Sequence, residues 1–235
     1  MGGTYSDGLT AFIAGNPLIR PRIAAFIADC ARQLPEGSRV LDAGAGNAPY
    51  RELFAHCRYT TSDWANSPHP GARAVDIVAP IDALPVADGS FDVIVLSEVL
   101  EHVADPAAAL RELHRALAGG GRLHLTVPFV YALHEEPYDF FRYTRHGLER
   151  LLADAGFTDV EVRPLTGYLS ALGQVLRFYT PSPDGPRALR LPRRILARAV
   201  QAIGPPLGRL DRGWGGDRLP LGYCASATKA AVDAP

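Results

Sequence analysis

The sequence predicts an α/β fold, a mostly parallel sheet with helices on both faces, and three observations carry that prediction. Apolar runs of strand length alternate with segments of helical periodicity, and the connections between them are short and rich in Gly, Pro and Asp. Residues 91–96, Phe-Asp-Val-Ile-Val-Leu, read as one apolar run, as expected for a strand covered on both faces. The chain has 235 residues, 47% apolar and 21% charged, enough to bury a full core in one domain with room for an insertion.

The elements follow in order. A helix is expected over about 17–34, with Ile19, Ile23, Phe26 and Ile27 on one face, stopped by Pro35 and Gly37. Residues 39–42 form a short apolar strand that enters a Gly-rich turn, after which Pro49 starts a helix. Residues 59–63 read as a second strand ending in an acid. Asp105-Pro106 is a cap followed by proline at the first helical position, and the helix it opens runs to Gly119-Gly120-Gly121. The strand Arg-Leu-His-Leu-Thr-Val begins at once after it. Thr144 caps a further helix that closes at Gly156, before the strand Phe-Thr-Asp-Val-Glu-Val. Residues about 166–218 then form a helical insertion before the last strand, 219–229, which reads as an edge strand. Leu169, Leu172, Val175, Leu176 and Tyr179 mark its first helix, and Leu189, Leu196, Val200 and Ile203 a second. Between Thr180 and Arg218 eight arginines (187, 190, 193, 194, 198, 209, 212 and 218) stand against Asp184, Asp211 and Asp217.

Composition excludes several function classes. A formal charge of −1 gives no reason to expect nucleic acid as a partner. Cys30, Cys57 and Cys224 form no CxxC pair and no ligand cluster, so they read as reduced thiols. No signal peptide or membrane span is visible, and a soluble, cytoplasmic protein is the expectation.

The chemistry concentrates at Val40-Leu41-Asp42-Ala43-Gly44-Ala45-Gly46-Asn47-Ala48-Pro49. A strand that ends in an acid and runs into Gly-x-Gly brings backbone very close to a ligand, beyond the carboxyl ends of the strands. Asp63 lies 21 residues after Asp42, at the end of the next strand, where a carboxylate accepts both hydroxyls of a ribose. A dinucleotide would need a third glycine where Pro49 stands, and Asp42 would face its phosphates. The same carboxylate suits the ammonium group of S-adenosylmethionine (SAM). The bland alternative is that Asp42 caps the turn and Asp63 is a solvated strand end.

Further on stand Leu84-Pro85-Val86-Ala87-Asp88-Gly89-Ser90-Phe91-Asp92 and Ser97-Glu98-Val99-Leu100-Glu101-His102-Val103. With the Gly-rich turn, these motifs resemble the bacterial class I SAM-dependent methyltransferases often called type 11, over about 39–162. The resemblance implies a Rossmann-like, seven-stranded sheet with SAM as cofactor. It implies that Asp42, Gly44, Gly46 and Asn47 frame the methionine end and that Asp63 binds the ribose. Trp64 and the segment of Asp82 and Leu84 would flank the adenine, while Ser97 and Glu98 close the site. One departure is Pro80-Ile81, where many relatives carry an acid-Ala pair.

The loop after the fifth strand overhangs the pocket where the transferable methyl points. Its His-Glu-Glu-Pro-Tyr-Asp-Phe-Phe-Arg-Tyr-Thr resembles a subgroup of the family. His134 is placed to take a proton from an attacking hydroxyl or amine, or to cap a turn. Asp139 and Arg142 orient an acceptor or pair with each other. Tyr131, Tyr138, Phe140, Phe141 and Tyr143 supply aromatic wall. His102 reads as positional rather than as the base. A metal on His134, Glu135, Glu136 and Asp139 fits no standard spacing, so none is expected.

The leading function is therefore methyl transfer to O or N of a small-molecule acceptor, and the subgroup resemblance implies secondary-metabolite or glycan biosynthesis. A SAM-fold enzyme catalysing a rearrangement or cyclisation is the alternative, and a non-catalytic SAM-binding module is a third reading. The insertion reads as a lid or packing helix, with contact to anionic lipid the lesser reading. Monomer and homodimer are equally open.

Overall fold

The computed structural model describes residues 5–178, 190–211 and 218–231. Seven strands form one sheet: β1 (Arg39–Ala43), β2 (Arg58–Asp63), β3 (Ile77–Val78), β4 (Phe91–Ser97), β5 (Leu117–Pro128), β6 (Thr158–Pro164) and β7 (Gly222–Thr228). Their spatial order is β3-β2-β1-β4-β5-β7-β6. The strands from β3 to β5 pair in parallel, while β7 runs antiparallel to both neighbours. Strand order reverses between β1 and β4, where Asp42 pairs with Val95 and the carboxyl ends of the two strands bring Asp42 and Ser97 to one cavity.

Alternation along β4 shows how both faces are used. Ile94 and Leu96 join one buried layer with Leu110, Leu113 and Leu148, while Val93 and Val95 join the other with Ile23 and Ile27. The first layer is roofed by α3 (Pro106–Ala116) and α4 (Arg145–Asp154), the second by α1 (Asp7–Gly15) and α2 (Arg20–Arg32). Asp105 and Thr144 cap α3 and α4 as their positions predict, accepting from the amides of Ala108 and Gly147.

Four expectations are corrected. The helix expected over about 17–34 forms as α2, but a further helix precedes it: Ser6 caps α1, and Asn16 accepts from Leu18 N–H and so turns the chain before α2. No α-helix follows Pro49. Ala48 sits at φ +47°, and only a 3₁₀ turn forms over Arg51–Phe54. Helix α3 ends at Ala116, before the three glycines, because Leu117 turns extended to pair with Phe91 and opens β5. Finally, β7 is not an edge strand. It is inserted between β5 and β6, where its largely buried residues satisfy both neighbours, so β6 holds the edge.

The insertion holds α5 (Tyr168–Phe178) and α6 (Arg190–Leu210). Arg187, Arg212, Asp184 and Asp217 of the arginine-rich stretch, with Tyr179, Thr180 and Leu189, lie outside the described residues. The two helices meet through small residues, since a Cβ on Gly173 would stand 2.5 Å from the Gly204 carbonyl oxygen. That contact rotates Leu196 and Ile203 outward, where they are more than half exposed, rather than into the packed face their spacing suggests. The Asp211 carboxylate ties the pair together by accepting from Gly167, Leu169 and Ser170 N–H at 3.0, 2.9 and 2.9 Å, which caps α5 from a distance.

Candidate active site

At the end of β1 the chain turns through Gly44 at φ +72° and Gly46 at φ +55°. A Cβ on Gly44 would lie 2.5 Å from a Val99 methyl, so the turn needs glycine for both conformation and space. Gly44 and Ala45 N–H donate to the Ser62 carbonyl at 2.8 and 2.9 Å, which locks the turn to β2. Asp63, 6% exposed, then accepts from Gly46 N–H through Oδ2 and from Trp64 N–H through Oδ1, both at 2.8 Å. Each oxygen keeps a lone pair for a ligand hydroxyl. Asn47 Oδ1 holds Gly71 N–H at 2.8 Å.

Asp42 is 3% exposed and accepts from the Tyr59 hydroxyl. Burial raises its pKa to about 6 and the charge of Asp63 adds to that, while the Tyr59 hydrogen bond acts the other way. A buried carboxyl in this state favours a cationic partner.

Two cavities meet at Gly44. One, of about 370 Å³, is lined by Asp63, Trp64, Ile81, Asp82, Val99 and Tyr138, among others. The second, of about 180 Å³, reaches Asp42, Gly46, Asn47, Ser97, Glu98 and His134. Nine of the ten expected cofactor residues therefore face this pair of cavities. Leu84 does not: it is 4% exposed in the core, where its N–H donates to Glu112 Oε1 at 2.8 Å. Tyr138, expected on the acceptor wall, sets its ring edge-on against Trp64 at 5.0 Å and lines the larger cavity instead. Phe12, Asn16 and Arg20 of the N-terminal segment also reach the smaller cavity, which nothing in their spacing announced. A larger apolar cavity, about 660 Å³, lies under α5 and α6 and shares Tyr131 with the smaller one.

Asp139 and Arg142 pair with each other. The Arg142 guanidinium donates to both Asp139 oxygens, at 2.6 and 2.8 Å, and also to the Ala132 carbonyl at 3.1 Å. Burial alone would raise the Asp139 pKa, but Arg142 and the His134 N–H bring it down to about 2. Asp139 thus stays ionised and holds His134 twice, accepting its N–H at 2.9 Å and lying 3.2 Å from Nδ1. The ring of His134 faces His102, centroids 4.8 Å apart. Burial lowers its pKa, with the His102 charge adding to the effect.

Beside the two imidazoles lies Glu101, fully buried, with neither carboxyl oxygen hydrogen-bonded among the described residues. Its Oε1 is 3.6 Å from His102 Nε2 and 3.9 Å from His134 Nε2. Burial, then the charge of Glu98, drives its pKa up. Glu98 holds φ +54°, and burial lifts its carboxyl to about 7. The sequence reading passed over Glu101 and placed His102 in a supporting role. Their signal was the spacing Glu98, Glu101, His102, which sets two acids and an imidazole around one short 3₁₀ turn, Leu100–His102.

Comparison with known proteins shows the family and the fold. Residues 18–162, more than half of the chain, match the family described as a methyltransferase domain. A 103-residue segment is 36% identical to the ubiquinone biosynthesis O-methyltransferase of Pseudomonas aeruginosa, covering 38% of this chain and 44% of that one. Across the curated relatives, matched segments span between 32% and 53% of their length. Among solved structures, a SAM-dependent methyltransferase from Archaeoglobus fulgidus superposes with a TM-score of 0.58 at 17% identity, over 94% of this chain and 99% of that one. The [4+2]-cyclase SpnF superposes with a TM-score of 0.55 at 17% identity, over 88% and 81%. At such identities these two show the shared fold. No helix among the described residues is long and apolar enough to cross a membrane.

Proposed function

The chain belongs to the methyltransferase-domain family, whose cofactor is S-adenosylmethionine, and from that premise we propose that it methylates oxygen or nitrogen of a small biosynthetic acceptor. The observation that carries the reading is the pair of cavities joined at Gly44, with a buried carboxylate at each end. Asp42 meets the cofactor's ammonium group, and Asp63 offers its free lone pairs to the ribose hydroxyls. Ile81, Asp82 and Trp64 surround the base. Ser97 and Glu98 close the methionine end.

SAM brings an electrophilic methyl group; the protein's part is to align a nucleophile, exclude water and take up its proton. His134 lines the cavity of the methionine end and is the catalytic residue of this reading, receiving that proton within its cluster with Glu101 and His102. Asp139 and Arg142 are positioning residues: they hold the loop and the His134 ring, and their charges are spent on each other. The relatives named ubiquinone biosynthesis O-methyltransferase support a biosynthetic acceptor methylated at oxygen.

The test is product analysis. Protein incubated with methyl-labelled SAM and a panel of phenols, catechols, hydroxy acids and amines is expected to move label into acceptor with stoichiometric S-adenosylhomocysteine. Acceptors rearranged without gain of label, with SAM recovered intact, would replace methyl transfer by the cyclase-type reaction.

A further inference from the structure

We propose that Glu101, His102 and His134 bind a divalent first-row metal ion at the inner face of the acceptor site. The inference rests on the acceptor-site reading above and deepens it. One ligand atom from each of the three lies within 4.8 Å of the other two. The two Glu101–imidazole pairs are 3.6 and 3.9 Å and the whole set lies within 4.8 Å, whereas ligand atoms on a tetrahedral ion with bonds of about 2.1 Å stand roughly 3.4 Å apart, so the carboxyl needs a few tenths of an ångström and the two imidazoles close by about an ångström.

The surrounding hydrogen bonds prepare both imidazoles as ligands. His102 Nδ1 lies 2.9 Å from the Tyr138 carbonyl oxygen, which only accepts, so the ring proton sits on Nδ1 and the Nε2 lone pair faces Glu101. His134 Nδ1 lies 3.2 Å from the Asp139 carboxylate and 3.5 Å from Arg142 Nη2, and its Nε2 faces Glu101; a metal on Nε2 selects the tautomer that donates Nδ1–H to Asp139. A carboxylate behind a metal-bound histidine is the usual outer support of such a site. The two Nε2 atoms and the buried Glu101 carboxyl thus converge on one point. Leaving that carboxylate unpartnered costs several kcal/mol on general grounds; a cation removes the cost. Glu135 Oε2, 3.9 Å from His102 Nε2, is a fourth donor within reach. The donor set, two imidazoles with carboxylates, suits Zn²⁺, Mn²⁺, Co²⁺ or Fe²⁺ better than Ca²⁺.

The site differs from the one that residue spacing argued against. Asp139 belongs behind His134 rather than on the metal, and the ligands come from two segments 32 residues apart, joined only by folding. His102 lines the larger cavity and His134 the smaller, so the ion stands where the two meet the acceptor. A coordinated acceptor hydroxyl, made more acidic by the ion, loses its proton to water. Its oxygen lone pair forms the new O–CH₃ bond as the S–CH₃ pair returns to sulfur, giving S-adenosylhomocysteine. With the ion bound His134 acts as its ligand, and the proton-accepting role given to it above passes to water.

The experiment uses the full chain stripped with a chelator and titrated with Co²⁺, Mn²⁺ and Zn²⁺. Expected are one ion per chain, visible d–d absorption from Co²⁺, and competition by Zn²⁺. Glu101→Gln, which keeps size and shape, is expected to abolish the Co²⁺ bands, and Asp139→Asn to weaken binding roughly 10- to 100-fold as an outer-support change. Both variants are to bind S-adenosylhomocysteine like the parent, which shows that they are folded. Absence of Co²⁺ bands in the parent, or bands that persist unchanged in Glu101→Gln, overturns the metal site. Failure of the methyl-transfer reading shows separately, as metal binding with no label moved from SAM to any acceptor.

Discussion

Asp42 yields a prediction in which stability and ligand affinity move in opposite directions. Burial raises its pKa from 3.8 to about 6, so as a carboxylate it costs the ligand-free fold about 3 kcal/mol. Because the folded pKa lies above the unfolded one, the associated stabilisation is complete below pH 3.8 and is lost as pH rises through 6. Between pH 7 and pH 5 the fold should regain about 1.4 kcal/mol from this group, or roughly 3–6 °C in melting temperature for a chain of this size. Tyr59, Asp63 and Arg51 are the polar groups that bear on it. Asp42→Asn keeps the shape and removes the titration. Thermal melts of both proteins at the two pH values give the difference directly, and other titrating groups cancel in it. Affinity for S-adenosylhomocysteine should instead fall about tenfold over the same step in the parent, since only about a tenth of Asp42 is ionised at pH 5. Equal melting shifts in parent and variant, with affinity independent of pH, would show that Asp42 does not titrate in this range.

Other consequences follow from the same geometry. His134→Ala should leave S-adenosylhomocysteine affinity unchanged and lower turnover roughly 10²- to 10⁴-fold, checked by calorimetry and steady-state rates. Gly44→Ala places a Cβ against Val99 at a positive φ and should destabilise by about 2 kcal/mol or more, with loss of cofactor affinity; Val99→Ala in the same chain should return part of both. Asp211→Ala removes three N–H acceptors from the start of α5 and should lower stability by about 1 kcal/mol, read as a melting shift of roughly 2–4 °C.

The parts of this molecule legible in the sequence are those fixed by local chemistry. Asp42, Gly44 and Gly46 were readable because a tight turn at a strand end needs glycine in a conformation other residues avoid, and Thr144 because a cap acts on its own helix. What escaped depends on which segments meet. The place of β7 between β5 and β6 follows from pairing with strands far away in the chain. The outward turn of Leu196 and Ile203 follows from the Gly173–Gly204 contact, which apolar spacing alone does not encode. Leu84 lies inside a motif tied to the adenine, yet its neighbours Glu112 and Arg115 hold it in the core. The approach of His134 to Glu101 and His102 joins two motifs across 32 residues, and the Asp139–Arg142 pair decides which of the loop's charges face the ligand.

The central claim is that the cavities joined at Gly44 are a SAM site, and calorimetric titration with S-adenosylhomocysteine tests it most directly, with NAD as control and Asp63→Ala as the variant. The account predicts one tight site for S-adenosylhomocysteine, no heat with NAD, and at least a hundredfold loss in a folded Asp63→Ala protein, as two desolvated ribose hydrogen bonds to a charged acceptor imply. Binding of NAD, or an Asp63→Ala affinity equal to the parent's, would contradict it.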